Sequence, residues 1–141
     1  MGIKRTAADK WFSDCIRESV DYHCERCGSY FPEGRGRAGL HCSHYYGRGG
    51  KSVRFCPDNC ASLCYGCHKY FERARDEYTA FQRKKLGDVR FDELVERANK
   101  SRHTPKSELK EISAHYRSQF RYMQRKRREG ERGNLPIVRY D

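Results

Sequence analysis

Apolar residues recur at helical spacing in several separate parts of the chain. Between residues 6 and 20, Trp11, Phe12, Cys15, Ile16 and Val20 fall on one face, and Thr6 with Asp9 has the pattern of a capping box. On that stripe Cys15 reads as a small buried hydrophobe. From Tyr65 onward, Tyr70, Phe71, Ala74, Tyr78 and Phe81 are three to four residues apart, and Leu86-Gly87 ends the run. Residues 91–98 predict a short amphipathic helix carrying Leu94 and Val95. Thr104-Pro105 predicts the start of a final helix reaching about Arg128, with Leu109, Ile112, Tyr116, Phe120 and Met123 as its stripe.

The pattern changes between the first two helices. Leu40 to Tyr46 has strand character, Gly47, Gly49 and Gly50 mark a turn, and Lys51 to Phe55 reads as the partner strand. Strand, turn, strand and helix make a ββα unit inside a mainly helical α+β fold. The expected organisation is a unit over 1–100 that includes the N-terminal helix, a basic helix over 101–129 and a flexible or loosely docked tail over 130–141.

Composition limits what such a fold can rest on. Among 141 residues, 36% are hydrophobic and 35% charged, and the mean hydropathy is −1.07. That is thin for an ordinary core, and a small domain of this kind needs a staple. No apolar run is long enough for a transmembrane helix, and the first residues lack the apolar region of a secretory signal, so a reducing cytoplasm is expected. There the eight cysteines point to metal binding; a disulfide framework would require export.

Cys24-Glu-Arg-Cys27 and Cys64-Tyr-Gly-Cys67 each place two thiols on one tight turn, and Gly28 lets the first turn fold back. Two such half-sites, the second opening a helix, describe a treble-clef-like structural zinc site. Competing ligands stay open: Cys56 and Cys60 could replace one pair, and His23 could replace Cys24. Cys42, Cys56 and Cys60 could form part of a second zinc site, although packing is the simpler role.

Charge adds a partner. Lys and Arg outnumber Asp and Glu by 30 to 19, a net +11, which suits a polyanion such as nucleic acid. Residues 101–133 carry ten Lys/Arg against four Glu. Arg121, Arg125, Lys126, Arg127 and Arg128 there, with Arg48, Lys51 and Arg54 around the turn, are the candidate phosphate contacts. The plainer reading of the helix end is a solvated terminus whose cations suit the helix dipole.

His44, Asn59 and His68 occur in the order strand, loop, helix. Phosphodiester hydrolysis needs an activated water, a Lewis acid on the phosphate and stabilisation of the leaving oxygen. A neutral histidine can take the water's proton, a histidine on the facing helix can hold a divalent ion, and an asparagine between them can fix the base. Singly each residue is ordinary: Asn59 after Pro57-Asp58 suits a turn, and His68 could be a spare zinc ligand.

Together, Lys10-Trp11-Phe12, Cys24-Glu-Arg-Cys27-Gly28, Ser43-His44-Tyr45, Arg54-Phe55 with Asn59, Cys64-Tyr-Gly-Cys67, Leu86-Gly87 and the helix from Thr104 resemble the HNH (ββα-metal) endonucleases. The likeness is to the phage lambda NinG/Rap recombination endonuclease family, over roughly residues 10–125. The resemblance implies a hydrolase that cuts branched DNA such as D-loops, Holliday junctions and flaps. His44 would be its base, Asn59 the orienting residue and His68 a ligand to a catalytic Mg²⁺ or Mn²⁺, beside a structural Zn²⁺. Many HNH enzymes place a metal ligand directly before the base, where this chain has Ser43; His41 is the expected replacement. Symmetric cutting of a four-way junction would call for a homodimer, and a link to host or phage recombination proteins would follow, with no membrane partner. Two other readings are a non-catalytic zinc-stabilised DNA-binding module and a zinc-ribbon adaptor for proteins.

Overall fold

The computed structural model describes residues 4–32, 39–49, 51–100 and 106–140. Helix α1 spans Ala7–Ser19 and opens on the expected capping box: the Thr6 hydroxyl accepts from the Asp9 amide, and the Asp9 carboxylate accepts from the Thr6 amide. Strand β1 is Leu40–His44 and strand β2 is Cys60–Cys64, followed by α2 (Tyr65–Arg73), α3 (Arg75–Leu86), α4 (Asp88–Ala98) and α5 (Lys106–Arg128). The mainly helical α+β class is as expected. The helix start expected at Thr104-Pro105 lies outside the described residues, as do Gly50 of the expected turn and the Lys51 side chain.

The strand pairing differs from the sequence expectation. The partner of β1 is Cys60–Cys64 in antiparallel register, with His41 opposite Leu63, Cys42 opposite Ser62 and His44 opposite Cys60. Lys51–Val53 instead forms a 3₁₀ turn whose Ser52 hydroxyl donates to the Arg97 carbonyl on α4. The true second strand is buried over its first four residues, so it shows no alternation to betray it. Beyond His44 the same register carries on through one more bond, the Tyr45 amide donating to the Asn59 carbonyl at 2.7 Å.

Two strands cannot stand alone in water, and each face of this pair is covered. Residues facing one way, including Ala61 and Leu63, join Phe71, Tyr78, Leu86, Phe91 and Leu94 of α2, α3 and α4. On the other side Cys60 packs with Phe12, Cys15 and Ile16 of α1 and with Ile112, Tyr116 and Met123 of α5. The single long helix expected after Tyr65 divides at Ala74, so α2 and α3 can both contribute rings: Phe71 stacks on Tyr78 at 4.5 Å. Gly87, at φ 82°, makes the turn into α4 in a conformation that disfavours other residues, and α4 therefore begins at Asp88 and not Phe91.

α1 is buried nearly all round, and its polar side chains are paired. Asp14 meets Arg17, Glu18 meets Arg127, and Asp9 meets Arg54. Burial raises the Asp9 carboxyl, but bonds from Arg54 and Thr6 outweigh it and hold the group below the usual range. Residues 130–140, expected as a flexible or loosely docked tail, form no helix or strand and are tied to the body. The Leu135 amide donates to the Ser19 carbonyl, the Gly133 amide to Asp21, and the Tyr140 amide to the Tyr116 hydroxyl.

Arg54→Ala removes the cation between the strand connection and α1 and leaves Asp9 buried without it. It should cost about 3 kcal/mol, read as a lower urea midpoint at unchanged slope; an unshifted midpoint would show that the pair contributes nothing.

Candidate metal centre and histidine cleft

The two Cys-x-x-Cys turns meet. Cys24, Cys27, Cys64 and Cys67 have their sulfur atoms within 4.8 Å of one another, with Cys27 Sγ to Cys64 Sγ at 3.9 Å. The first turn closes through the Gly28 amide donating to the Cys24 carbonyl, with Gly28 at φ 77°. Cys64 sits at the N-cap of α2 and Cys67 in its first turn. Arg26 adds a cation, donating to Cys67 Sγ at 3.4 Å and lying 4.0 Å over the Tyr70 ring. Four soft sulfurs so placed suit one tetrahedral zinc ion. His23 does not join them: its Nδ1 meets the Asp21 carbonyl at 2.8 Å and its ring packs on Tyr30.

Asn59 is fully buried and works as a clamp. Its carboxamide oxygen accepts from the Tyr46 amide, and its nitrogen donates to the carbonyls of Tyr46 and Val53. These bonds close the connection between the strands from inside. They also hold the backbone that immediately follows His44.

His44 lies against α1, with its ring 6.0 Å from Phe12. Its Nε2 is 3.1 Å from the Arg54 carbonyl. A carbonyl only accepts, so the proton sits on Nε2 and the lone pair on Nδ1. Burial pushes the imidazole down to about 4, against the opposing pull of that carbonyl, so the ring is neutral near pH 7.

Ser43, the residue before it, points the other way into the core and shares a 2.8 Å hydrogen bond with the Tyr78 hydroxyl. His41 instead reaches α2. Its ring stacks on His68 with centroids 5.3 Å apart and planes 9° from parallel. His41 Nε2 and His68 Nδ1 are both buried without a hydrogen-bond partner, which is the state expected of nitrogens shaped to hold a cation. Burial, and then the neighbouring His68, lower the His41 imidazole below its ordinary range.

All three histidines line one cleft of about 470 Å³, with Arg5, Asp9, Ser13, Arg17, Leu40, Cys42 and Arg48. His41 and His44 are on opposite faces of β1. Among the described residues β1 pairs only with β2, so its other edge is without a strand partner, and both histidines line the cleft. Arg5, Ser13 and Arg17 come from the α1 region and carry no local motif, so only the packing of α1 reveals them.

The predicted cationic residues separate into two groups. Arg48 lines the cleft, and Arg121, Arg125 and Arg128 are exposed on α5. Arg54 is held by Asp9, and Arg127 by Glu18 and the Glu18 carbonyl, with a side chain only 9% exposed. Lys126 lies beside Glu129.

No helix among the described residues is long and apolar enough to cross a membrane. The fold is a mainly helical α+β domain in which a cysteine tetrad that could hold zinc sits on a two-stranded sheet. More particularly, the sequence matches the family described as Bacteriophage Lambda NinG protein over residues 4–127, and the chain belongs to that family. No curated protein and no solved structure matches it significantly.

If the tetrad holds zinc, Cys64→Ser should lower the bound metal seen in elemental analysis and cost several kcal/mol, read as a lower Tm; unchanged zinc content and Tm would show that the tetrad holds none. Asn59→Ala should cost about 3 kcal/mol, because it strands buried backbone partners of all three bonds; a thermal melt matching that of the unaltered chain would refute the clamp.

Proposed function

We propose that the chain is a metal-dependent DNA endonuclease of the HNH kind, hydrolysing phosphodiester bonds in branched recombination intermediates. The observation that carries this reading is the single cleft in which His41, His44 and His68 meet Arg5, Arg17 and Arg48. In it His44 is the base. The Arg54 carbonyl fixes its tautomer, Nδ1 takes a proton from water, and the hydroxide attacks phosphorus as the bond to the leaving oxygen breaks. Asn59 is a positioning residue, acting through the backbone next to His44. His41 and His68, each with an orphaned buried nitrogen, would hold Mg²⁺ or Mn²⁺ by two imidazoles, leaving the oxygen ligands these ions prefer to water and the phosphate; bound there, the ion would supply Lewis acidity at the phosphate. Arg48 in the cleft and Arg121, Arg125 and Arg128 on α5 contact the phosphates. Branched substrates and a homodimer are part of this reading; membership of the phage family supports a recombination-related role, and symmetric cutting of a four-way junction would need two active sites.

The cysteine tetrad on its own would equally suit a zinc-stabilised DNA-binding module without catalysis. Cleavage assays separate the two. His44→Ala should lower cutting of four-way and flap substrates in Mg²⁺ or Mn²⁺ by at least about a hundredfold, with the circular dichroism of the folded chain retained. Undiminished cutting by that variant, purified free of host nucleases, would overturn the assignment, and binding without cutting by the unaltered chain would favour the module.

A further inference from the structure

A second set of soft ligands lies on the opposite side of β1 from the His41–His68 pair. Antiparallel register puts His44 directly opposite Cys60 and Cys42 directly opposite Ser62, so all four side chains share one sheet face. The ligand atoms of Cys42, His44 and Cys60 fall within 4.8 Å of one another, the same limit that the structural tetrad meets. Two further details mark the place as more than packed thiols. The Arg54 carbonyl occupies one ring nitrogen of His44 and leaves the other its lone pair, as outer partners of metal-bound histidines do. Opposite Cys42, the Ser62 hydroxyl is fully buried without a hydrogen-bond partner. Cys15, also nearby in the core, is already committed, donating to the Tyr116 carbonyl.

We propose that Cys42, Cys60 and His44 form a second metal site, selective for thiophilic divalent ions, with zinc the natural occupant. Two thiolates and an imidazole are a three-ligand set that leaves the fourth position open. Cys42 and His44 both line the histidine cleft, which gives the ion its entry path and the open position a route to solvent. Binding releases the two thiol protons to water and forms two metal–sulfur bonds and one metal–nitrogen bond; nothing is oxidised. Mg²⁺ and Mn²⁺, which prefer oxygen, are poor competitors for these sulfurs.

The ion's effect on function rests on the nuclease reading. A zinc ion on His44 occupies the lone pair that would accept the water's proton, so the site is inhibitory. The protein would then respond oppositely to two kinds of metal: hard ions at His41 and His68 support cutting, and a soft ion one strand-face away stops it.

The test uses the full chain. Unaltered protein and Cys42→Ser are equilibrated with micromolar free zinc, and bound metal is counted. The unaltered chain should hold one equivalent more than Cys42→Ser, and cobalt substitution should show a sulfur-to-cobalt charge-transfer band that loses intensity in the variant. Cys60→Ser, at a fully buried position, should behave alike if circular dichroism shows it folded. Equal metal content and identical cobalt spectra in the unaltered and Cys42→Ser chains overturn the site. In Mg²⁺ cleavage assays, zinc should slow the unaltered chain at least tenfold relative to its own zinc-free rate, and Cys42→Ser less than twofold. Equal inhibition of both overturns the regulatory role. Absence of cutting by every form overturns the nuclease reading instead, and the metal count still decides the site.

Discussion

The Asn59 carboxamide holds together a connection that could otherwise splay. Its three bonds to Tyr46 and Val53 are made inside the protein, away from competing water, where a satisfied polar network is stiff and a broken one is costly. Through its own carbonyl it also receives the Tyr45 amide. The result fixes which residue faces which across the pair, and therefore which histidine faces α1 and which faces α2. The Arg54–Asp9 pair then pins the same connection to the first helix, so that the Arg54 carbonyl arrives beside His44. The cysteine tetrad gathers at the opposite end of the sheet, where Cys64 pairs with Leu40 and leads into α2.

Much of this is legible in the chain because it is local. The Thr6–Asp9 capping box, the Gly28 and Gly87 turns and the two Cys-x-x-Cys pairs are each decided within a few residues. The second strand was not legible, because Cys60–Cys64 is buried on both faces and so shows no polar alternation, and its neighbours 51–53 look more strand-like than they are. The histidines were identifiable by type and order. Their grouping was not: His41 and His44 have opposite strand parity, yet both line one cleft. Arg5, Ser13 and Arg17 gave no signal at all, since their place depends on long-range packing of α1.

Net charge proves a blunt guide to a binding surface. Several arginines in this strongly basic chain serve internal ends. Arg54, Arg127 and Arg17 neutralise carboxylates of or around α1, allowing a helix with so many charged residues to be buried. The exposed remainder is spread over the surface: Lys69, Arg73, Arg75 and Lys84 on α2 and α3 are exposed, as are Arg121, Arg125 and Arg128 on α5. A count of thirty basic residues therefore overstates what any one face offers a polyanion.

The docked tail links the last part of the chain to the middle of it. The Tyr140 amide donates to the Tyr116 hydroxyl, which in turn donates to the Phe55 carbonyl, one residue from the carbonyl that holds His44. The relay ties the backbone around His44 to a segment that has no helix or strand of its own, although every residue lining the cleft lies between positions 5 and 68. Loosening the docked segment would therefore reach His44 through backbone carbonyls while leaving the walls of the cleft in place.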